Sequence, residues 1–426
     1  MSDRTLKTVQ IASLLVSTSC GTGFLLGTGE LALRGGMIGC LYAIASALGL
    51  VALAACARGL STTGQSIWTR LNQIYGASVG RSVALLSLVW MTGVLAAQIR
   101  GGTAILTLAG IGQTSALLIV DGLLICFSTL RLSWLAAGFA ICMLACDVVL
   151  VRTLFLTDGL AVWLHAPAQF LDGLQDTTLD HTGFKVASIV LMVIWGADYQ
   201  QFVLAARTAR MARNGCLLAS VFVLLIGFLP ASAVIAASPA WHLQQLPDPV
   251  QVIPVVLLHT LSVHSTDTAR ILIIVVLLAT ALGAGCAILR AMGDAIASLS
   301  PHLVTHPNLS RIMPIALGTL VAERGQSVVD IMIELNIAYI TAVGPLLGLV
   351  LLNRRISDRT ANVTLAVGSC VAIAIYIAKW TGWTKLPETH PFAVSFLPMF
   401  LIAVLQWRRS TVCKEDGLAT PRQIME

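Results

Sequence analysis

Ile11–Gly36 reads IASLLVSTSCGTGFLLGTGELALRGG. A helix crossing a bilayer needs about 20 mostly apolar residues, and this stretch has the length. Its middle, Ser17 to Gly23, gathers Ser, Thr, Cys and Gly where a plain span would carry Leu and Val. Each Gly weakens a helix by about 1 kcal/mol. Unwound backbone survives at membrane depth only where it lines a cavity or is buried in protein. Cys20-Gly21-Thr22-Gly23 therefore predicts a helix broken in mid-membrane. Its freed carbonyls can hold a cation, and the N-terminus of its second half favours anionic groups. Gly27 and Gly29 fit close helix packing through small residues.

A second stretch has the same character. Ser188–Arg210 reads SIVLMVIWGADYQQFVLAARTAR, and Trp195-Gly196-Ala197-Asp198-Tyr199 places a Gly and a carboxylate inside an apolar helix. Counting spans puts it five helices after the first. Five is odd, so the two broken helices run in opposite directions. Matching interruptions in oppositely directed helices point to an inverted-repeat transporter with its site between them.

Working outward, the whole chain is apolar: 57% of its 426 residues are hydrophobic and 11% charged. A soluble domain carries about 25% charged residues, so the outer surface must face lipid. The prediction is an all-α membrane protein, a single transmembrane domain over residues 1–426. Spans fall near 8–33, 36–59, 80–108, 114–130, 133–154, 184–206, 215–238, 268–297, 309–322, 328–352, 361–380 and 390–407, about twelve. Segment 155–183 reads as a loop in which 160–174 forms an interfacial helix, and 239–267 as a polar, proline-bearing loop. With the N-terminus inside and the spans alternating, 18 Lys and Arg fall on the cytoplasmic side and 8 opposite. That bias puts both termini in the cytoplasm of a bacterial inner membrane. Most of the ten Cys lie inside apolar runs and read as packing residues. The net charge of +6 is spread over loops and reports topology, with no nucleic-acid partner implied.

Five stretches, in order, carry a family resemblance: GTGFLLGTGELALRGG (21–36), LAAQIRGGTAIL (95–106), DYQQFVLAARTARMARNG (198–215), ATALGAGCAILRAMGDAIA (279–297) and IAYITAVGPLLGLVLLNRRIS (337–357). On these the chain resembles the sodium:solute symporter family. The resemblance implies a LeuT-type fold of two inverted five-helix repeats. These would be 8–156 and 184–352, followed by two peripheral helices (361–407) and a cytoplasmic tail (408–426). In that family, sodium is held by carbonyls of the broken first helix and by hydroxyls on the eighth. The positions implied here are Ser17, Cys20, Thr280, Ala284 and Cys286, where the paired hydroxyls are absent. The carboxylate expected early in the fifth helix is replaced near Ala136–Ala140, and Gln201 stands for the Arg after Tyr-Gln. The ion site is therefore degenerate, and coupling to Na+, to H+ or to neither stays open.

Charges inside a membrane cost about 3 kcal/mol or more and are functional candidates. Glu30 and Asp198 would each bind a cationic group or carry a proton, and Glu30 also has Arg34 one turn away as a partner. Arg100, beside Gln98, would take a substrate carboxylate or pair with Glu30. Asn336 and Tyr339 would line the site with Cys20, Gly21, Thr22, Gly23, Trp195 and Tyr199. Arg290 and Asp294 are expected to form an i, i+4 pair, and Asp121 and Asp147 to be structural acids. Histidines such as His259, His264, His302 and His306 make no metal motif, and no catalytic or ATP-binding motif is present, so an enzyme is not expected. The expected function is secondary active transport of a small organic solute. The alternatives are a transporter-like solute sensor or an ion-independent facilitator. The sequence leaves oligomeric state open.

Overall fold

The computed structural model describes residues 5–63, 65–129, 132–175, 179–262, 267–299, 309–323, 328–351 and 355–383. The expected span 390–407 and the residues His302, His306 and His264 lie outside them. The described residues form helices and short 3-10 turns, with one isolated bridge between Leu6 and Ala206.

The first span is two helices, α1 (Thr8–Ser19) and α2 (Thr22–Gly35), parted at Cys20 and Gly21. A 3-10 turn, Gly36–Cys40, leads to α3 (Leu41–Thr63). The short helix α4 (Ile67–Tyr75) precedes the long α5 (Ala77–Leu108). Then come α6 (Gln113–Phe127) and α7 (Leu132–Leu156). The predicted interfacial segment is present as α8 (Leu160–Leu164) and α9 (Ala166–Gln175). The second broken span follows as α10 (Leu179–Trp195) and α11 (Ala197–Leu204), parted at Gly196.

The next span is jointed. It consists of α12 (Ala209–Gly227) and α13 (Leu229–Trp241), with Pro230 in the first turn of α13 where a missing N–H is harmless. The chain continues through α14 (Val252–Ser262), α15 (Asp267–Leu299), α16 (Leu309–Ala322), α17 (Val328–Leu351) and α18 (Asp358–Trp380).

Two elements depart from the sequence expectation. The supposed polar loop 239–267 contains α14, because VIPVVLL is an apolar run and Pro254 falls in its first turn. Its Val252, Ile253, Val256 and Leu257 are buried. The gap before α5 holds α4, an amphipathic helix that buries Ile67, Trp68, Leu71 and Tyr75 along one face.

Helix α5 is the axis of the molecule, packed against α4, α6, α15, α16 and α17. Helices α10 and α12 flank α3, and α1 lies against α12. Leu118, Leu144, Phe155, Val221, Leu225, Ile271 and Leu320 point outward and exposed. Such an apolar exterior is stable only against lipid. Among the described residues, six stretches are long and apolar enough to cross a membrane.

Candidate functional site at two helix breaks

At the first break, Cys20 N–H still donates to the Val16 carbonyl at 2.7 Å, and the ladder resumes with Leu25 N–H to Gly21 O at 2.9 Å. Between them the i to i−4 pattern lapses. Gly21 keeps the approach close: a Cβ would meet the Ser17 carbonyl at 3.2 Å and the Ala284 Cβ at 3.4 Å. The Thr22 and Thr280 hydroxyls are bonded at 2.8 Å, tying α2 to α15. Gln98 on α5 lies against Gly285, and its buried Oε1 has no hydrogen-bond partner.

At the second break, Gly196 N–H donates to Met192 O at 2.7 Å and Gln200 N–H to Gly196 O at 3.0 Å. Two carbonyls released between them are capped from the side. Gln200 Nε2 donates to Ile194 O at 2.8 Å, and Tyr339 Oη donates to Trp195 O at 3.0 Å. The Tyr339 ring lies 5.9 Å from that of Trp90 on α5. The Trp195 ring covers Gly344 so closely that a Cβ there would fall inside it. Asp198 sits in the first turn of α11, 2% exposed, against its own N–H and that of Tyr199. That is where a helix dipole favours a carboxylate. Asp198 Oδ1 has no hydrogen-bond partner.

Side chains bridge the two breaks. Tyr199 lies beside Ser19 and Tyr42, and Tyr42 is close to Cys20 and Asp198. Asp147 on α7 is close to Cys20 and lines, with Ser17, an open crevice of about 250 Å³ between α1, α7 and α12, walled also by the exposed Val9, Leu144 and Phe222. Asp147 Oδ1 and Ser17 Oγ are buried without partners. Asn336 is fully buried, and neither of its amide atoms has a partner. It precedes Tyr339 by one turn on the same face of α17.

Of the residues singled out in the sequence, Ser17, Cys20, Gly21, Thr22, Thr280 and Ala284 come together at the first break. Gly23 is buried in the first turn of α2 beside them. Trp195, Asp198, Tyr199 and Tyr339 gather at the second. Three do not join them. Glu30 is held by Arg34 at 3.1 Å, and Cys286 turns its thiol to the Leu124 carbonyl at 3.8 Å. Arg100 does not pair with Glu30: its Nη2 lies 3.0 Å from Asp248 Oδ2, at the start of the 3-10 turn ahead of α14. Arg290 donates to the Ser128 carbonyl at 3.3 Å instead of closing on Asp294. Sequence reasoning misses Tyr42, Gln200 and Asp248, because an ordinary polar residue in a helix or loop carries no signal of what faces it.

On the side of the molecule where α1 begins, a cavity of about 350 Å³ is lined by Trp68, Ala197, Gln200, Gln201 and Asp294. It reaches the first turn of α11 beside the second break. On the other side Arg100 and Asp248 close together, and Gln251 Nε2 donates to Thr107 Oγ1 at 3.1 Å.

No family model and no curated protein matches the chain by sequence. Solved structures do match. A Na+-coupled sialic acid symporter in a substrate-bound outward-open state gives a TM-score of 0.73 at 14% identity, over 96% of this chain and 91% of that one. Mhp1, a nucleobase-cation-symport-1 family transporter with bromovinylhydantoin bound, gives 0.57 at 15%, over 97% and 95%. The Eremococcus coleocola manganese transporter gives 0.54 at 12%, over 95% of each chain. At such identities the likeness establishes the fold. The chain is a multi-pass membrane protein of the LeuT type, as its two broken helices imply.

Proposed function

We propose that the protein is a secondary active transporter that carries a small organic solute by alternating access, driven by a cation. The observation that carries this is the pairing of the breaks. Two helices lose their winding at Cys20–Gly21 and at Gly196, and Tyr199 in the second lies against Ser19 at the first. Main-chain groups freed at membrane depth need a ligand or a capping side chain, and a pair of such helices is the usual carrier site.

The first break is the place for the coupling ion. Thr280 is occupied by Thr22, and Ala284 and Cys286 supply no oxygen from their side chains. Asp147 and Ser17 supply carboxylate and hydroxyl oxygens on the α7 side. Hard cations take oxygen ligands, so Na+ or a proton on Asp147 is the driving ion. The second break, with Asp198, Tyr199, Asn336 and Tyr339, takes the solute. We place the protein in a bacterial inner membrane with both termini cytoplasmic, so the cavity of about 350 Å³ opens inward. The Arg100–Asp248 pair then closes the outward side.

Uptake of labelled solutes into proteoliposomes tests this, with a sodium gradient, a pH gradient or neither. Accumulation above equilibrium under one gradient, lost in Asp147→Asn, is the expected result. Binding with no accumulation under any gradient would leave a sensor, and equilibration alone a facilitator.

A further inference from the structure

We propose that the solute presents N–H donors from a neutral or cationic nitrogen group, carries no carboxylate, and docks that nitrogen on Asp198. This rests on the transporter reading above and narrows its substrate class. The sign of the interior carries it. Among the described residues, Glu30, Asp147 and Asp198 are the buried charged side chains, and no Lys, Arg or His is buried with them. Glu30 is matched by Arg34. Arg100, the base that would have received a carboxylate, has its Nη2 on Asp248 in the turn ahead of α14, and its Nε is unpartnered. Asp198 forms no ion pair among the described residues, and its Oδ1 has no hydrogen-bond partner. A carboxyl buried without a charge partner is costly to ionise. A donor nitrogen removes that cost, and a second carboxylate adds repulsion to it.

The approach has the same sign. The cavity that reaches Ala197, next to Asp198, is lined by Asp294, Gln200 and Gln201, and Gln201 Nε2 is buried without a partner. On the helices around the breaks, the partnerless groups include both amide atoms of Asn336 and Oε1 of Gln98, along with the hydroxyls of Ser17 and Ser19. Amide oxygens accept from N–H groups, and amide nitrogens donate to carbonyls or ring nitrogens. A nitrogen heterocycle, an amide or an amine satisfies this set. A carboxylate meets the like charge of Asp198 and Asp294 on this route.

The test is the melting temperature of the purified full-length protein with one solute at a time, since a ligand of the native state raises it. Adenine, uracil, agmatine and putrescine form one group; lactate, glutamate and N-acetylneuraminate form the other. The expected result is stabilisation by at least one member of the first group and by none of the second. Affinity for that solute should fall by about tenfold or more in Asp198→Asn, equivalent to ~1.4 kcal/mol. Stabilisation by a carboxylate, silence across the first group, or unchanged affinity in Asp198→Asn overturns the proposal. The wild-type panel decides the sign even if that variant does not fold. Counterflow of the same solutes in proteoliposomes separates the two levels. A transported carboxylate overturns the solute class and leaves the carrier standing. An N–H solute that binds and never crosses does the reverse.

Discussion

At Gly196 the main chain passes between its own preceding carbonyl and the site carboxylate. A Cβ there would lie 2.6 Å from both Met192 O and Asp198 Oδ1. Neither has room to yield, since Met192 O already accepts from Gly196 N–H and Asp198 is 2% exposed. Gly196→Ala should therefore destabilise by about 1–3 kcal/mol, the usual range for overpacking, and displace Asp198. Gly122 on α6 has open space where a Cβ would go, with nothing within 4 Å, so Gly122→Ala is the control. Thermal melting with and without a bound solute checks both. Equal melting of the two variants would mean that the break has more freedom than its geometry implies. The same residue explains what the sequence could reveal. A glycine next to an aspartate in an apolar run is a local anomaly, visible without any neighbour. Arg100 is equally visible as a charge, yet its partner Asp248 lies 148 residues away, and local pattern carries no distance across the chain.

At the scale of elements, periodicity recovers the long apolar helices and loses the short or disguised ones. Helix α16 is present over Leu309–Ala322, where the sequence places its ninth span. Helix α14 reads as loop in the sequence because Pro249 and Pro254 mark its start, although a proline in a first turn is tolerated. In the proposed carrier this helix sets the closure on the Arg100 side. It presses Ile253 onto Gly29 of α2, and the turn before it is fastened to α5 through Asp248 and Gln251. The ion pair is only part-buried, with side chains 16% and 26% exposed, so it contributes no more than about 1 kcal/mol. Arg100→Gln should speed amide exchange across 243–251 and leave the distant α18 unchanged. The exchanged pair Arg100→Asp with Asp248→Arg should recover part of the protection. Identical exchange in all three would mean that apolar packing on Gly29 holds the turn by itself.

For the molecule as a whole, a weak fastening at Arg100–Asp248 suits the proposed transport cycle. A carrier must visit both faces, so neither state can lie far below the other. A contact of about 1 kcal/mol shifts a two-state population about fivefold. The described conformation joins a closed Arg100–Asp248 pair on one side to a cavity lined by Ser66, Trp68 and Gln200 on the other. If rocking couples them, weakening the outer pair must draw molecules away from the state in which that cavity is open. A cysteine at Ser66, in a background with the native cysteines replaced, reports this through a membrane-impermeant maleimide. Labelling should be rapid with Arg100 present and slow several-fold in Arg100→Gln, with no substitution near the cavity itself. Arg100 and Ser66 belong to opposite ends of the bundle, so no local contact can produce that result. If the labelling rate at Ser66 is indifferent to Arg100, the two ends move independently. The paired breaks would then be a fixed binding site instead of the pivot of a carrier.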